Sequence, residues 1–246
     1  MTKILLFANN KGGVGKTPAA YYTALRYVDR GQRVTAIDLD GQCNLSDMLA
    51  PGEAVPGIAD VLEGKCALAD AMMTVELSQL REPLRLCRAT GDLYDLESSL
   101  ATGLGVMKLY NAMRTCEDLG DVVIIDTPPH LGAITISAIV AVGMLRGWVV
   151  VPTRPDGNSV SGVESIRKEI EKAGEALSFP PCLLGTIVTM VRETNSHQRW
   201  VSALHGDQYP PVLGVTPLRG GELADYELRK LYAPVADVIW KIMGGE

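Results

Sequence analysis

The chain has 246 residues, is 47% apolar and 21% charged, and carries a formal net charge of −6. That length suits one large α/β domain over residues 1–246, and the acidic balance argues against wholesale attraction to nucleic acid or anionic lipid, though not against a local basic patch. No run of about 18 uncharged apolar residues occurs, so no transmembrane helix is expected, and the five scattered cysteines without a C-x-x-C pair point to reduced thiols in a cytoplasm rather than to zinc or an iron–sulfur centre.

In chain order, Lys3 to Ala8 is an apolar run short enough for a buried strand. It enters a core strand directly, with no apolar signal segment ahead of Asn9 and Asn10. Lys11-Gly12-Gly13-Val14-Gly15-Lys16-Thr17 follows, and Ala19 to Asp29 reads as a helix. Strand, glycine loop, helix is the context of a phosphate-binding loop. The glycines let backbone N–H groups turn inward, and the helix N-terminus favours an anion. In such a loop Lys16 reaches the β- and γ-phosphates, and the Thr17 hydroxyl sits on Mg²⁺.

Gly31 to Arg33 stops the helix, and Val34 to Ile37 is a second strand. It delivers Asp38 and Asp40 at its C-terminal end, where open α/β sheets bind ligands. One of these carboxylates can support a metal shell while the other faces the γ-phosphate and an attacking water. Residues 51 to 120 are harder to read. Short helices are expected over Ile58 to Glu63, Ala67 to Met73 and Gly105 to Glu117, with a strand over Leu84 to Cys87. Asp121 to Asp126 is an apolar strand ending in a carboxylate and broken by Thr127-Pro128-Pro129, the placement of a Walker B aspartate that holds Mg²⁺. Further strands are expected over Trp148 to Pro152, Leu183 to Val191 and Pro211 to Thr216. Helices are expected over Ser159 to Leu177, Gln198 to Leu204, Glu222 to Leu231 and Val235 to Ile242. The alternation implies an α/β fold, a mostly parallel twisted sheet with helices on both faces.

Together these motifs resemble the ParA/MinD family of P-loop ATPases with a deviant Walker A box, and the pattern is most similar to ParA-type partition ATPases without an N-terminal DNA-binding domain. Lys11 matches the extra lysine of that box, Asp38-Leu39-Asp40-Gly41-Gln42-Cys43-Asn44 the D-x-D-P-Q-x-N element, and Ile124 to Pro129 the Walker B strand and the switch after it. Gly185 to Met190 resembles the late strand near the nucleotide base, and Pro217-Leu218-Arg219 the I-P-x-R segment. The resemblance implies a P-loop domain that binds ATP and Mg²⁺ and dimerises around two nucleotides. It implies that Lys11 crosses to the other subunit's phosphates, that Asp40 directs the attacking water, and that Asp38 supports Mg²⁺ beside Thr17 and Asp126. It also places Met190 and Pro217 with Gly12, Gly13, Val14, Gly15, Lys16, Thr17 and Pro18 around the nucleotide.

Three residues depart from the pattern: Pro18 for a Thr or Ser, Gly41 for Pro, and Cys43 for Gly. Proline is tolerated in a first helical turn but removes an N–H and a hydroxyl near the α-phosphate, and it biases Thr17 away from helical geometry. Gly41 is expected to loosen its loop. The resemblance implies partition of plasmid or chromosomal DNA by a slow ATPase that binds nonspecific DNA in its ATP state and is stimulated by a ParB-like or other adaptor. The basic residues available for DNA are Arg192, Arg199, Arg219, Arg229 and Lys230. Positioning of a non-DNA cargo, a membrane-associated MinD-like switch and an ATP-dependent synthetase are the alternatives. Membrane binding is not expected, because Val235, Ile239 and Trp240 fit a last helix packed on its own sheet and its polar face carries only Lys241.

Overall fold

The computed structural model describes residues 1–52, 56–80, 82–218 and 225–245. The strands are β1 (Lys3–Phe7), β2 (Val34–Asp38), β3 (Met72–Val75), β4 (Leu84–Cys87), β5 (Val122–Asp126), β6 (Trp148–Thr153), β7 (Leu183–Val191) and β8 (Val212–Pro217). They form one sheet in the order β3-β4-β2-β5-β1-β6-β7-β8. Every pairing is parallel except β3 with β4. The helices are α1 (Lys16–Asp29), α2 (Asn44–Leu49), α3 (Ile58–Glu63), α4 (Leu93–Leu100), α5 (Lys108–Thr115), α6 (Ala133–Met144), α7 (Gly157–Leu177), α8 (Asn195–Leu204) and α9 (Asp225–Ile242).

The sheet is buried on both faces, which is why its central strands are almost wholly apolar. Alternate residues divide between two cores. Leu5, Phe7, Ala36 and Ile124 pack with α1 and α9, while Leu6, Ile37, Val123 and Ile125 pack with α3 to α7. Register places Asp38 opposite Asp126, and Phe7 opposite Asp126 on the other side. The C-terminal ends of β1, β2 and β5 therefore meet at one place.

The expected strands are all present within a residue or two, and the helices over 58–63 and 159–177 and near 198–204 form. Four expectations change. The segment read as a helix over Ala67 to Met73 is a 3-10 turn, Leu68–Ala71, that runs straight into β3. The helix expected from Gly105 divides into a 3-10 turn, Gly105–Met107, and α5. The last helix is continuous from Asp225 through Pro234. Burial of Tyr232, Val235, Ala236, Ile239 and Trp240 outweighs the one backbone hydrogen bond that proline removes. Finally α2, α4 and α6 are additional to the helices that the sequence pattern predicts, and residues 222–224 lie outside the described residues.

The α1–α9 packing is fastened by charge. Asp237 accepts two hydrogen bonds of 2.9 Å from Arg26 and one of 3.1 Å from Arg30. The Arg26 hydrogen bonds, with Arg30 behind them, hold the Asp237 carboxyl below the usual carboxylate range. A depressed folded pKa gives stability that is full above the unfolded value of about 3.9 and fades as pH falls through the folded one. Asp237→Asn is expected to cost about 1 kcal/mol at pH 7, after allowance for solvent screening. Urea unfolding at pH 7 and pH 3 checks this: the gap to the parent protein should shrink at the lower pH.

Candidate functional site

Between β1 and α1 the chain turns through Gly13 at φ 68° and Gly15 at φ 82°, left-handed conformations that glycine alone adopts freely. Gly15 is doubly constrained, since a Cβ there would stand 3.3 Å from the Thr189 side chain. Thr189 is itself buried and aims its hydroxyl at the Val14 carbonyl, 2.7 Å away, and at the Thr153 carbonyl at 3.2 Å. The strand order thus lets β7 brace the loop from behind. Thr127 fixes the other flank by donating to the Phe7 carbonyl at 2.8 Å.

The loop forms one wall of a cleft of about 420 Å³, lined by Gly12 to Pro18 and by Asp40, Gln42, Asn44, Met48, Pro129 and Met190. This is within the usual range for a small-molecule site. Pro18 is the third residue of α1, where an N–H has no intrahelical partner to lose. Thr17 is helical all the same: Ala19 closes the first turn onto the Gly15 carbonyl at 3.1 Å, and that turn overrides the bias imposed by the following proline.

Lys16 is nearly buried and donates to the Lys11 carbonyl at 3.1 Å. Burial lowers its pKa, and the charges of Asp126 and Asp40 oppose that shift. Asp126 is fully buried, and among the described residues neither carboxylate oxygen has a well-directed hydrogen bond. Desolvation, then repulsion from Asp38, push its pKa up, while the nearby Thr17 hydroxyl and Lys16 pull it back. A buried carboxylate with no well-directed hydrogen bond among the described residues, close to an ammonium and a hydroxyl, fits an Mg²⁺ site.

Asp38 differs. Its Oδ1 accepts from the Asp40 N–H at 3.0 Å, and its Oδ2 accepts from the Ser46 N–H at 2.9 Å and the Ser46 hydroxyl at 2.7 Å. Burial raises its pKa and the Ser46 bonds lower it. Its first physical role is to anchor the loop into α2, so less of its hydrogen-bonding capacity is left for a metal than at Asp126. Asp40, one residue past Leu39, accepts the Gln42 N–H at 3.0 Å and faces the cleft. Cys43 caps α2 at φ 58°, a left-handed conformation that suits the glycine found there in the family pattern. Its thiol is pushed up by burial and by Asp38, which keeps it protonated.

Two expected residues fall elsewhere. Pro217 ends β8 opposite Val191 and is not part of the cleft wall, because the edge strand β8 lies beyond β7, which itself contributes Met190. Arg229 donates to Asp29 at 2.9 Å and to the Gln79 carbonyl, so its charge is already matched. Arg192 and Arg199 are exposed at the β7–α8 junction, and Lys230 lies over the Tyr226 ring at 5.2 Å. Arg219 lies outside the described residues. Among the wall residues, Gln42, Asn44 and Pro129 lie inside the sequence motifs without a site role assigned to them there, and Met48 lies outside every motif. Pro129 follows Asp126 closely enough to be found, whereas nothing local marks Met48.

The chain matches the family described as an AAA domain over residues 2–178. It is 31% identical over 199 residues to the chromosome partitioning protein ParA of Caulobacter vibrioides, covering 79% of this chain and 72% of that protein. Cyanothece McdA in complex with ATP superposes with a TM-score of 0.85 over 100% of this chain and 97% of that one, at 19% identity. Cobyrinic acid a,c-diamide synthase of Mycobacterium smegmatis, with bound ADP and magnesium, superposes with a TM-score of 0.80 at 26% identity, covering 98% of this chain and 95% of that one.

Gly15→Ala should destabilise the nucleotide-free protein by about 1–2 kcal/mol through the left-handed backbone alone. A tighter fit against Thr189 adds to that. Chemical unfolding gives the magnitude, and an unchanged midpoint would contradict the geometry.

Proposed function

The chain belongs to the ParA-type family of AAA-domain ATPases, and from that premise we propose that it is a nucleotide-dependent dimer switch for DNA partition. It is an ATPase that uses ATP and Mg²⁺. One observation supports the assignment of the chemistry to particular residues: the buried Asp126 carboxylate, without a well-directed hydrogen bond among the described residues, lies close to Lys16 and Thr17, which line the cleft. Thr17 and Asp126 would hold Mg²⁺, with Asp38 behind them. When bound, that ion neutralises charge on the phosphates. The loop N–H groups of Gly12 to Thr17 and the Lys16 ammonium take the phosphate oxygens. Asp40 faces the cleft with one oxygen held by Gln42, a position suited to orienting water. Lys11 is only partly buried, consistent with a side chain that completes a second subunit's site. The one continuous sheet supports a single ATPase domain over residues 1–246.

In this reading the ATP-bound dimer takes nonspecific DNA as its platform, and an adaptor of ParB type triggers otherwise slow hydrolysis. The relationship to the Caulobacter ParA supports this. The candidate basic face draws on Arg192, Arg199 and Lys230, with Arg229 paired to Asp29. Doubling that face in a dimer offsets weak binding per subunit. Positioning of a non-DNA cargo shares every one of these features.

The second reading is an ATP-dependent synthetase, favoured by the 26% identity to the M. smegmatis enzyme over nearly the whole chain. Against it stands Lys11, for which a small-molecule synthetase has no evident need. Among the described residues no helix is long and apolar enough to cross a membrane.

Sedimentation of Asp40→Ala with ATP and Mg²⁺, with and without random-sequence duplex, is the direct test. A dimer should form and bind DNA. Replacing Arg192 and Arg199 by Glu should lower the log–log salt slope by about 0.9 for each phosphate that is no longer neutralised. A dimer that ignores DNA favours the cargo reading. Hydrolysis stimulated by a carboxylic acid and an amide donor, and not by DNA, favours the synthetase. Pro18→Thr restores one charge-assisted hydrogen bond, so ATP affinity should rise roughly tenfold or more by calorimetry. An unchanged, micromolar-or-better affinity would remove the significance given to Pro18.

A further inference from the structure

Helix α4 has one face in the core, through Leu93, Leu96 and Leu100. Tyr94 and Glu97, three residues apart and so on one side of the helix, reach two different loops. The Tyr94 ring covers Gly41: a Cβ there would fall 2.7 Å from the ring carbon Cε2. Its hydroxyl accepts a hydrogen bond from the Gln42 side chain. Glu97 pairs through Oε1 with His130 Nε2 at 2.8 Å, and through Oε2 accepts the Ala133 N–H at 2.6 Å. A Cβ on Gly132 would stand 2.5 Å from the same carboxylate.

The symmetry of the two ends is informative. Neither Gly41 nor Gly132 has a positive φ, so neither glycine is needed for backbone freedom. Both are needed for space, one for Tyr94 and the other for Glu97. This also accounts for Gly41 where the family pattern has proline. The Tyr94 side chain occupies the volume that Gly41 leaves. Each loop lines the cleft near its attachment point, through Asp40 and Gln42 in one and Pro129 in the other. Each leaves one of two adjacent strands whose ends are paired at Asp38 and Asp126.

We propose that Tyr94 and Glu97 are positioning residues that yoke the loop after Asp40 to the loop after Asp126, so that the two rearrange together. The yoke is a property of the fold. Its consequence for turnover rests on the ATPase function proposed for this cleft, since a water held by Asp40 and charge held at Asp126 must be correct at the same moment. Glu97 as a mere N-terminal cap of α6 is the competing account, and it gives Tyr94 no part.

The test uses the full chain and the variants Tyr94→Phe, Glu97→Gln and their double, which keep shape and burial. In nucleotide-free protein, Glu97→Gln should speed amide hydrogen exchange at residues 41–44, which it does not touch, as well as at 130–135. Faster exchange confined to 130–135 overturns the yoke and leaves a local cap. With ATP and Mg²⁺, each single variant should lower kcat about fivefold and move KM less than about twofold, and the double should be no worse than about the more severe single. Fully multiplicative losses, an unchanged kcat, or a kcat loss that tracks a lower Tm would each overturn it. If the parent protein hydrolyses no ATP, the ATPase reading fails, and the exchange measurement still decides the yoke.

Discussion

Three carboxylates share one buried place with a single ammonium. Asp38 and Asp126 end neighbouring parallel strands in register, Asp40 lies two residues further on, and Lys16 faces them from the first turn of α1. Burial raises the pKa of both strand-end aspartates, and repulsion adds to it, from Asp40 at Asp38 and from Asp38 at Asp126. Such a cluster persists only where the surroundings over-determine it. Here they do: two apolar cores hold the strands, Ser46 saturates one side of Asp38, and Thr189 and Thr127 fix the loop flanks. Among the described residues, neither oxygen of Asp126 has a well-directed hydrogen bond. A divalent cation and a polyphosphate would fit there together, each compensating charge that the other brings.

The departures from the family pattern differ in weight once their surroundings are seen. Pro18 costs the helix nothing, since its missing N–H belongs to the first turn; whatever it costs falls on the ligand. Cys43 sits in a left-handed backbone conformation that glycine would adopt without strain, and its side chain is partly buried against the core in return. Gly41 turns out to be half of a steric pair whose other half, Tyr94, lies 53 positions later. A residue that looks like a local weakening is a match made at long range.

The fold was legible where local signals were strong. The apolar strands over 3–7, 34–38, 122–126, 148–153 and 183–191 announce themselves by composition and by the turn residues that bound them. α6 was not legible: Ala133–Met144 is apolar on all sides because it is packed all round, so no 3.6-residue stripe marks it. β3 is four residues long at the sheet edge, and only its antiparallel pairing with β4 distinguishes it from the turn before it. α9 reads as two helices until the face it buries is known.

By itself the sequence determined the glycine loop, the strand-end aspartates and the alternation of strands and helices, because each is written in contiguous residues whose chemistry acts on neighbours. Only the tertiary structure decided which of those aspartates has no well-directed hydrogen bond among the described residues, that Arg229 pairs with Asp29, and that α4 reaches both loops. Those outcomes join residues tens to hundreds of positions apart. Burial removes water as the default partner there, so a side chain's role depends on what the fold brings beside it.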